Sequence, residues 1–174
     1  MATGSAVRRR SGLEGAGALA FELGLSGALA GTAGGILLML WELVRSAIVG
    51  EGFFLPLRLV AGVFFGVDVL IAGPWSELVG ALVHLAVSIF FGIVFALLVR
   101  RDLPYGKAFV SALLYGVAVW LVMTYAVLFA DPVMRERLLV SPADWFWVHL
   151  LYGLGLSTAP ALRRALFPAR GAPR

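Results

Sequence analysis

Four stretches of this chain are apolar for twenty residues or more, and such runs leave a polypeptide few ways to fold. Residues 26–49, 77–99, 107–130 and 142–162 each reach the length of a membrane crossing. A helix rises about 1.5 Å per residue, so roughly 20 residues cover a hydrocarbon layer about 30 Å thick. Charged residues make up 14% of the 174 residues, against about 25% in an ordinary soluble domain. They gather between the runs, which is the transmembrane pattern and not that of a large soluble core. The expectation is an all-α integral membrane four-helix bundle made of two helical hairpins. Residues 1–25 then form a basic N-terminal tail and interfacial lead-in, residues 26–162 the bundle, and residues 163–174 a basic C-terminal tail.

A fifth stretch, residues 53–72, is as long but is interrupted by Pro56, Arg58, Gly62, Gly66 and Asp68. Charge placement decides how it is read. With four spans, Arg8, Arg9, Arg10, Arg100, Arg101, Lys107, Arg163, Arg164, Arg170 and Arg174 all fall on one side, which is ten of the fourteen basic residues. Basic residues favour the cytoplasmic side. A fifth span would set the N-terminal arginines opposite the other clusters. Residues 53–72 are therefore expected to form a re-entrant or interfacial element on the outer side of a bacterial-type inner membrane, with both chain ends cytoplasmic. Arg8–Arg10 before an apolar stretch also suggests a secretory signal. Glu22 breaks the would-be apolar core of that signal, and the run continues past any cleavage point, so an uncleaved first helix is expected.

The net charge of +4 does not point to nucleic acid. The basic residues flank helix ends without aromatic interleaving, and anionic inner-leaflet lipid is the simpler partner. The chain has no cysteine, which removes disulfides, thiolate catalysis and cysteine-ligated metals. The polar stretch from Asp131 to Ser141 reads as an outer loop. Trp75, Trp145 and Trp147 suit the headgroup boundary, where the indole N–H stays wet.

Small residues recur at four-residue spacing. The first run carries Gly27, Gly31 and Gly35; the second Gly80, His84, Ser88, Gly92 and Ala96; the third Ala108, Ala112 and Gly116; the fourth His149, Gly153 and Ser157. Such stripes let helix backbones approach closely, which drives association in lipid. They predict mutual packing, or, for the first stripe, docking of another membrane subunit or a second copy. The second and fourth runs also look alike: each has a Pro and a Trp near its start, carries a histidine seven residues in, and ends in Arg-Arg. That suggests a weak internal repeat.

Charged and hydrogen-bonding groups at membrane depth are costly and tend to be paired inside the bundle. Glu42 and Arg45 share a helix face. His84 and His149 fall about 10 Å below the outer boundary, near Thr124, Tyr125 and Tyr152. Arg58 and Asp68 are expected to cap this polar layer. Three readings compete for it. The plainest is structural pairing between helices. The second is a b-type haem held by His84 and His149, since two histidines at matched depth are what axial ligation requires. The third is a proton or ion path through Glu42, His84 and His149, since histidine titrates near neutral pH. No H-E-x-x-H or nucleophile elbow is present, so no metal site and no enzyme are expected. Ser157 lies about 12 Å along its helix from His149, too far for a serine and its base, which must meet within about 3 Å.

The segment His84-Leu-Ala-Val-Ser88-Ile-Phe-Phe, with His149-Leu and the later Arg163-Arg164, resembles small bacterial inner-membrane proteins of the YagU-like kind. The resemblance covers parts of the second and fourth runs. It implies a four-helix inner-membrane bundle and no particular activity. The expected role is non-enzymatic: a subunit or accessory of a membrane assembly.

Overall fold

A computed structural model describes residues 3–129, 132–138 and 141–168, with side chains described from residue 15 onward except at 134, 137 and 138. The described residues are helical, with no strand among them. The order is α1 (Thr3–Ile48), α2 (Leu55–Phe65), a 3-10 turn (Val67–Ile71), α3 (Pro74–Leu98), α4 (Tyr105–Leu128), α5 (Pro132–Leu138), α6 (Pro142–Leu156) and α7 (Ala159–Leu166). Three of these are long and apolar enough to cross a membrane: α1 over Gly15–Ile48, α3, and α4.

Helix α1 runs unbroken because its 46 residues contain no proline and are rich in alanine and leucine. It ends where Gly50 takes φ 80°, a left-handed conformation that glycine adopts without a Cβ clash. Glu51 N then donates to the Ser46 carbonyl at 3.0 Å, satisfying one of the last carbonyls.

Helix α1 is central. It packs along α3 on one side and α6 on the other, and α4 packs on α6 while α2 packs on α3. The α1–α3 contact follows the glycine stripe. A Cβ on Gly27 would sit 2.6 Å from Ile93 Cα, and one on Gly31 would strike the Ser88 carbonyl. The α1–α6 contact uses a second face of α1, where Gly34 lies against Tyr152 and Gly155. The α4–α6 contact places Gly116 and Ala112 against His149 and Gly153. Around these contacts Ala30, Phe95, Ala112, Val148, Tyr152 and Leu156 form the buried core. Ile36, Leu40, Phe90, Leu97, Leu114 and Val122 stay exposed on the outside. An apolar exterior of this kind is costly in water and costs nothing in hydrocarbon.

Two stretches differ from the sequence reading. The run at 142–162 is not one helix. α6 has 15 residues, about 22 Å at 1.5 Å each, short of a full crossing. Pro160 has no N–H to offer the Leu156 carbonyl, and the chain breaks at Ser157 and Thr158, whose hydroxyls turn back onto the Leu154 and Gly155 carbonyls at 2.7 Å each. α7 then continues with Arg163 and Arg164. The stretch expected as a polar loop contains the short helix α5, opened by Pro132 at its first position.

Residues 53–72 divide at Gly66 into α2 and the 3-10 turn. Neither piece is long enough to cross a bilayer. α2 lies against α3, where a Cβ on Gly80 would collide with the Leu57 carbonyl. Arg58 on α2 binds Glu77 in the first turn of α3, with Nη2 2.5 Å and Nε 3.1 Å from Oε1.

Candidate functional site

The half of the bundle where α1 ends and α3 and α6 begin, here the upper half, holds a cavity of about 430 Å³. α3 and α4 follow one another in sequence but scarcely touch, because each is packed on a different neighbour. The space left between them is backed by α1 and α6 and roofed by α2. Its lining includes Leu38, Met39, Glu42, Arg45 and Ser46 of α1, Leu59 and Phe64 of α2, His84, Val87, Ser88 and Phe91 of α3, Val119 and Met123 of α4, and Asp144, Trp145, His149 and Tyr152 of α6. Glu51 and Ser141 stand in the flanking loops.

Both histidines are held by backbone carbonyls. His84 Nε2 lies 2.9 Å from the Gly35 oxygen, and His149 Nδ1 lies 2.7 Å from the Trp145 oxygen. A carbonyl can only accept, so the nitrogen facing it carries the proton. In the neutral ring the other nitrogen, Nδ1 of His84 and Nε2 of His149, is then an acceptor on a ring that lines the cavity. Trp145 closes on His149, with ring centroids 4.7 Å apart and edge-to-face, and its Nε1–H donates to Thr124 Oγ1 at 3.0 Å. Tyr152 fixes α6 to α3 by donating its hydroxyl to the Ser88 carbonyl at 2.6 Å.

Arg45 stands between two carboxylates. Its Nε is 3.8 Å from Glu42 Oε2 and 3.9 Å from Asp144 Oδ2. These are ion-pair distances, too long for hydrogen bonds. The Nε–H is buried and has no acceptor among the described residues. An unanswered buried donor is uncommon and marks a place where a polar partner fits. The lining thus carries three carboxylates, Glu42, Glu51 and Asp144, against one guanidinium.

Of the residues expected in a polar layer, Glu42, Arg45, His84, His149 and Tyr152 line this cavity together. Thr124 touches it only through Trp145. Arg58 does not cap it and is turned to Glu77. Asp68 is exposed on the 3-10 turn and Tyr125 is exposed on α4. Trp145, in the first turn of α6, is half-buried and lines the cavity, whereas Trp75 and Trp147 are exposed. Ser157, half-buried just past the end of α6, donates its hydroxyl to the Leu154 carbonyl. Asp144, Glu51 and Ser46 were not singled out by the sequence, because they sit at run ends where polar residues are ordinary.

The donor set does not favour haem. Axial histidines reach iron through Nε2 without crowding from their own Cβ, and His84 Nε2 is occupied by the Gly35 carbonyl. Among the described residues no three His, Asp or Glu side chains form a metal-binding group.

At the opposite end a second cluster ties three elements. Glu22 Oε1 accepts from Arg163 Nε at 2.7 Å and Arg101 Nη1 at 3.3 Å. Arg101 also donates to the Phe167 carbonyl, and Arg164 Nη1 donates to the Arg101 carbonyl at 2.8 Å. The Arg164 guanidinium lies 5.4 Å from the centre of the Tyr105 ring. In the α3–α4 connection, the Arg100 guanidinium bonded to Asp102 holds that carboxyl below its usual range.

No protein family, curated protein sequence or solved structure matches this chain.

Proposed function

We propose that this chain is a non-enzymatic integral membrane protein whose upper-half cavity holds a small ligand, and that it serves a membrane assembly as an accessory or subunit. In this reading α1, α3 and α4 cross the membrane, and α6 with α7 makes a kinked fourth crossing. The two hairpins are α1–α3 and α4–α6. The 53–72 element sits on the outer side, and both ends are cytoplasmic in a bacterial-type inner membrane. The arginine-rich lower end fits the cytoplasmic face by its charge and suits anionic headgroups there.

One observation carries the ligand reading: a cavity of about 430 Å³ gathers carboxylates, a guanidinium and two imidazole lone pairs at helix depth. Structural pairing alone would close such groups on each other. Here the Arg45 Nε–H has no acceptor among the described residues. The first glycine stripe lies against α3, so a docking partner would have to use another surface.

Native mass spectrometry of protein extracted under mild conditions tests this. The expected result is a bound small molecule that is lost from the cavity-filling variant Val87→Trp. A bare polypeptide mass for both proteins would sink the reading.

The proton or ion path is the weaker alternative. It draws on Glu42, His84 and His149 facing one cavity, but the cavity ends at the level of Phe91 and Tyr152. Below that level the helices are in backbone contact along Gly27, Gly31 and Gly92. Proteoliposomes carrying wild type or Glu42→Gln should give the same pH trace; a difference would favour transport.

A further inference from the structure

The cavity is not the only hollow between α3 and α4. A second, apolar groove has Phe64, Val87, Phe90, Phe91 and Met123 in its lining. Four of these residues, Phe64, Val87, Phe91 and Met123, also line the polar cavity. The two hollows therefore adjoin along these four side chains. The inner one carries the charged and imidazole groups, and the outer one runs between α2, α3 and α4 to the exterior, where Phe64 and Phe90 are more than half exposed. On a helix surface read as facing lipid, that opening is lateral.

We propose that the two hollows together take one membrane amphiphile, a phospholipid with a primary ammonium head, with its head in the cavity and an acyl chain in the groove. The proposal rests on the cavity being a ligand site. Shape supplies the division into head and tail. Charge supplies the head. Three carboxylates against one guanidinium favour a cation over an anion. Nδ1 of His84 and Nε2 of His149 are acceptors, and a primary ammonium brings three N–H donors. Arg45 Nε–H, buried without an acceptor among the described residues, matches the phosphate oxygen that such a head carries beside its ammonium. The tail contributes little selectivity, since it leaves one hydrocarbon environment for another. Discrimination therefore falls to the head.

This predicts a ranking. Phosphatidylethanolamine meets both demands. Phosphatidylcholine keeps the charge but has no N–H. Phosphatidylglycerol has no cation. The purified full chain would be delipidated and returned to detergent with each lipid at equal amount, and bound lipid counted by native mass spectrometry. Phosphatidylethanolamine is expected as one retained equivalent, at least tenfold above the other two. The preference should shrink to within twofold in Glu42→Gln/Asp144→Asn, and binding should be lost in Val87→Trp. Equal retention of all three lipids, or preference for phosphatidylglycerol, overturns the head assignment while leaving the cavity a ligand site. Undiminished preference in the double carboxylate variant overturns it too, by placing the head elsewhere, as at the lower arginine cluster. If wild type retains no lipid yet carries another mass that Val87→Trp loses, the amphiphile is wrong and the ligand cavity stands. No bound mass of any kind removes both.

Discussion

Gly92 shows how much a single missing Cβ does here. A methyl group at Gly92 would meet the Gly27 carbonyl and lie 2.6 Å from Gly31 Cα. Those neighbours are backbone, so neither can rotate away. Gly92→Ala should cost roughly 2 kcal/mol, in the range of overpacked interiors, visible as a lowered thermal midpoint in detergent. Gly24 is also on α1, but nothing lies within 4 Å of its missing Cβ. Gly24→Ala should leave the midpoint unchanged or raise it slightly, since alanine favours helix by up to about 1 kcal/mol. Equal effects at the two positions would contradict the close contact. Tyr152 offers a milder test. Its hydroxyl bonds the Ser88 carbonyl in the buried core, so Tyr152→Phe should cost about 1 kcal/mol without changing the ring's packing.

Among the elements, α2 is attached to α3 by packing and by one ion pair. Arg58 and Glu77 are partly covered, at 35% and 17% side-chain exposure, so solvent weakens their attraction only in part. A double-mutant cycle with Arg58→Ala and Glu77→Ala should return a coupling of roughly 1 kcal/mol, the upper end for exposed pairs. A value near zero would mean that Leu57 against Gly80 holds α2 alone. This pair also shows where sequence reading stops. Gly27, Gly31 and Gly35 announce a close contact by spacing, and the α1–α3 contact runs along them. Gly34 belongs to the other face of α1, where it meets Gly155 of α6, and only the central position of α1 gives that face a partner. Three helices of membrane length were legible from the apolar runs. The break in the fourth run was not, because counting apolar residues passes over Ser157, Thr158 and Pro160. His84 and His149, paired in the sequence by their like positions in two runs, both line the cavity. Arg58 suits the polar layer equally by sequence, but Glu77 in the first turn of α3 captures it.

For the whole molecule, the open question of sidedness can be settled because the chain has no cysteine. Any introduced thiol is therefore the sole target of a membrane-impermeant maleimide. Arg101, Arg163 and Arg164 lie at one end of the bundle, and the proposed orientation follows the bias of basic residues to the cytoplasmic side. The proposed orientation sets Glu51 at the α1–α2 turn on the outer side and Asp102 in the α3–α4 connection on the inner side. Both are exposed, so neither substitution disturbs a core. In intact spheroplasts Glu51→Cys should label and Asp102→Cys should not. In inside-out vesicles the pattern should reverse. Phe65→Cys, on the exposed C-terminal end of α2, discriminates further. If residues 53–72 re-enter from the outside, no thiol in this element reacts from the inner face, so Phe65→Cys should stay unlabelled in inside-out vesicles. Labelling there, together with Asp102→Cys reacting from outside, would show the element spanning and the later helices inverted. The arginine clusters would then lie on opposite sides, against the charge bias on which the orientation depends.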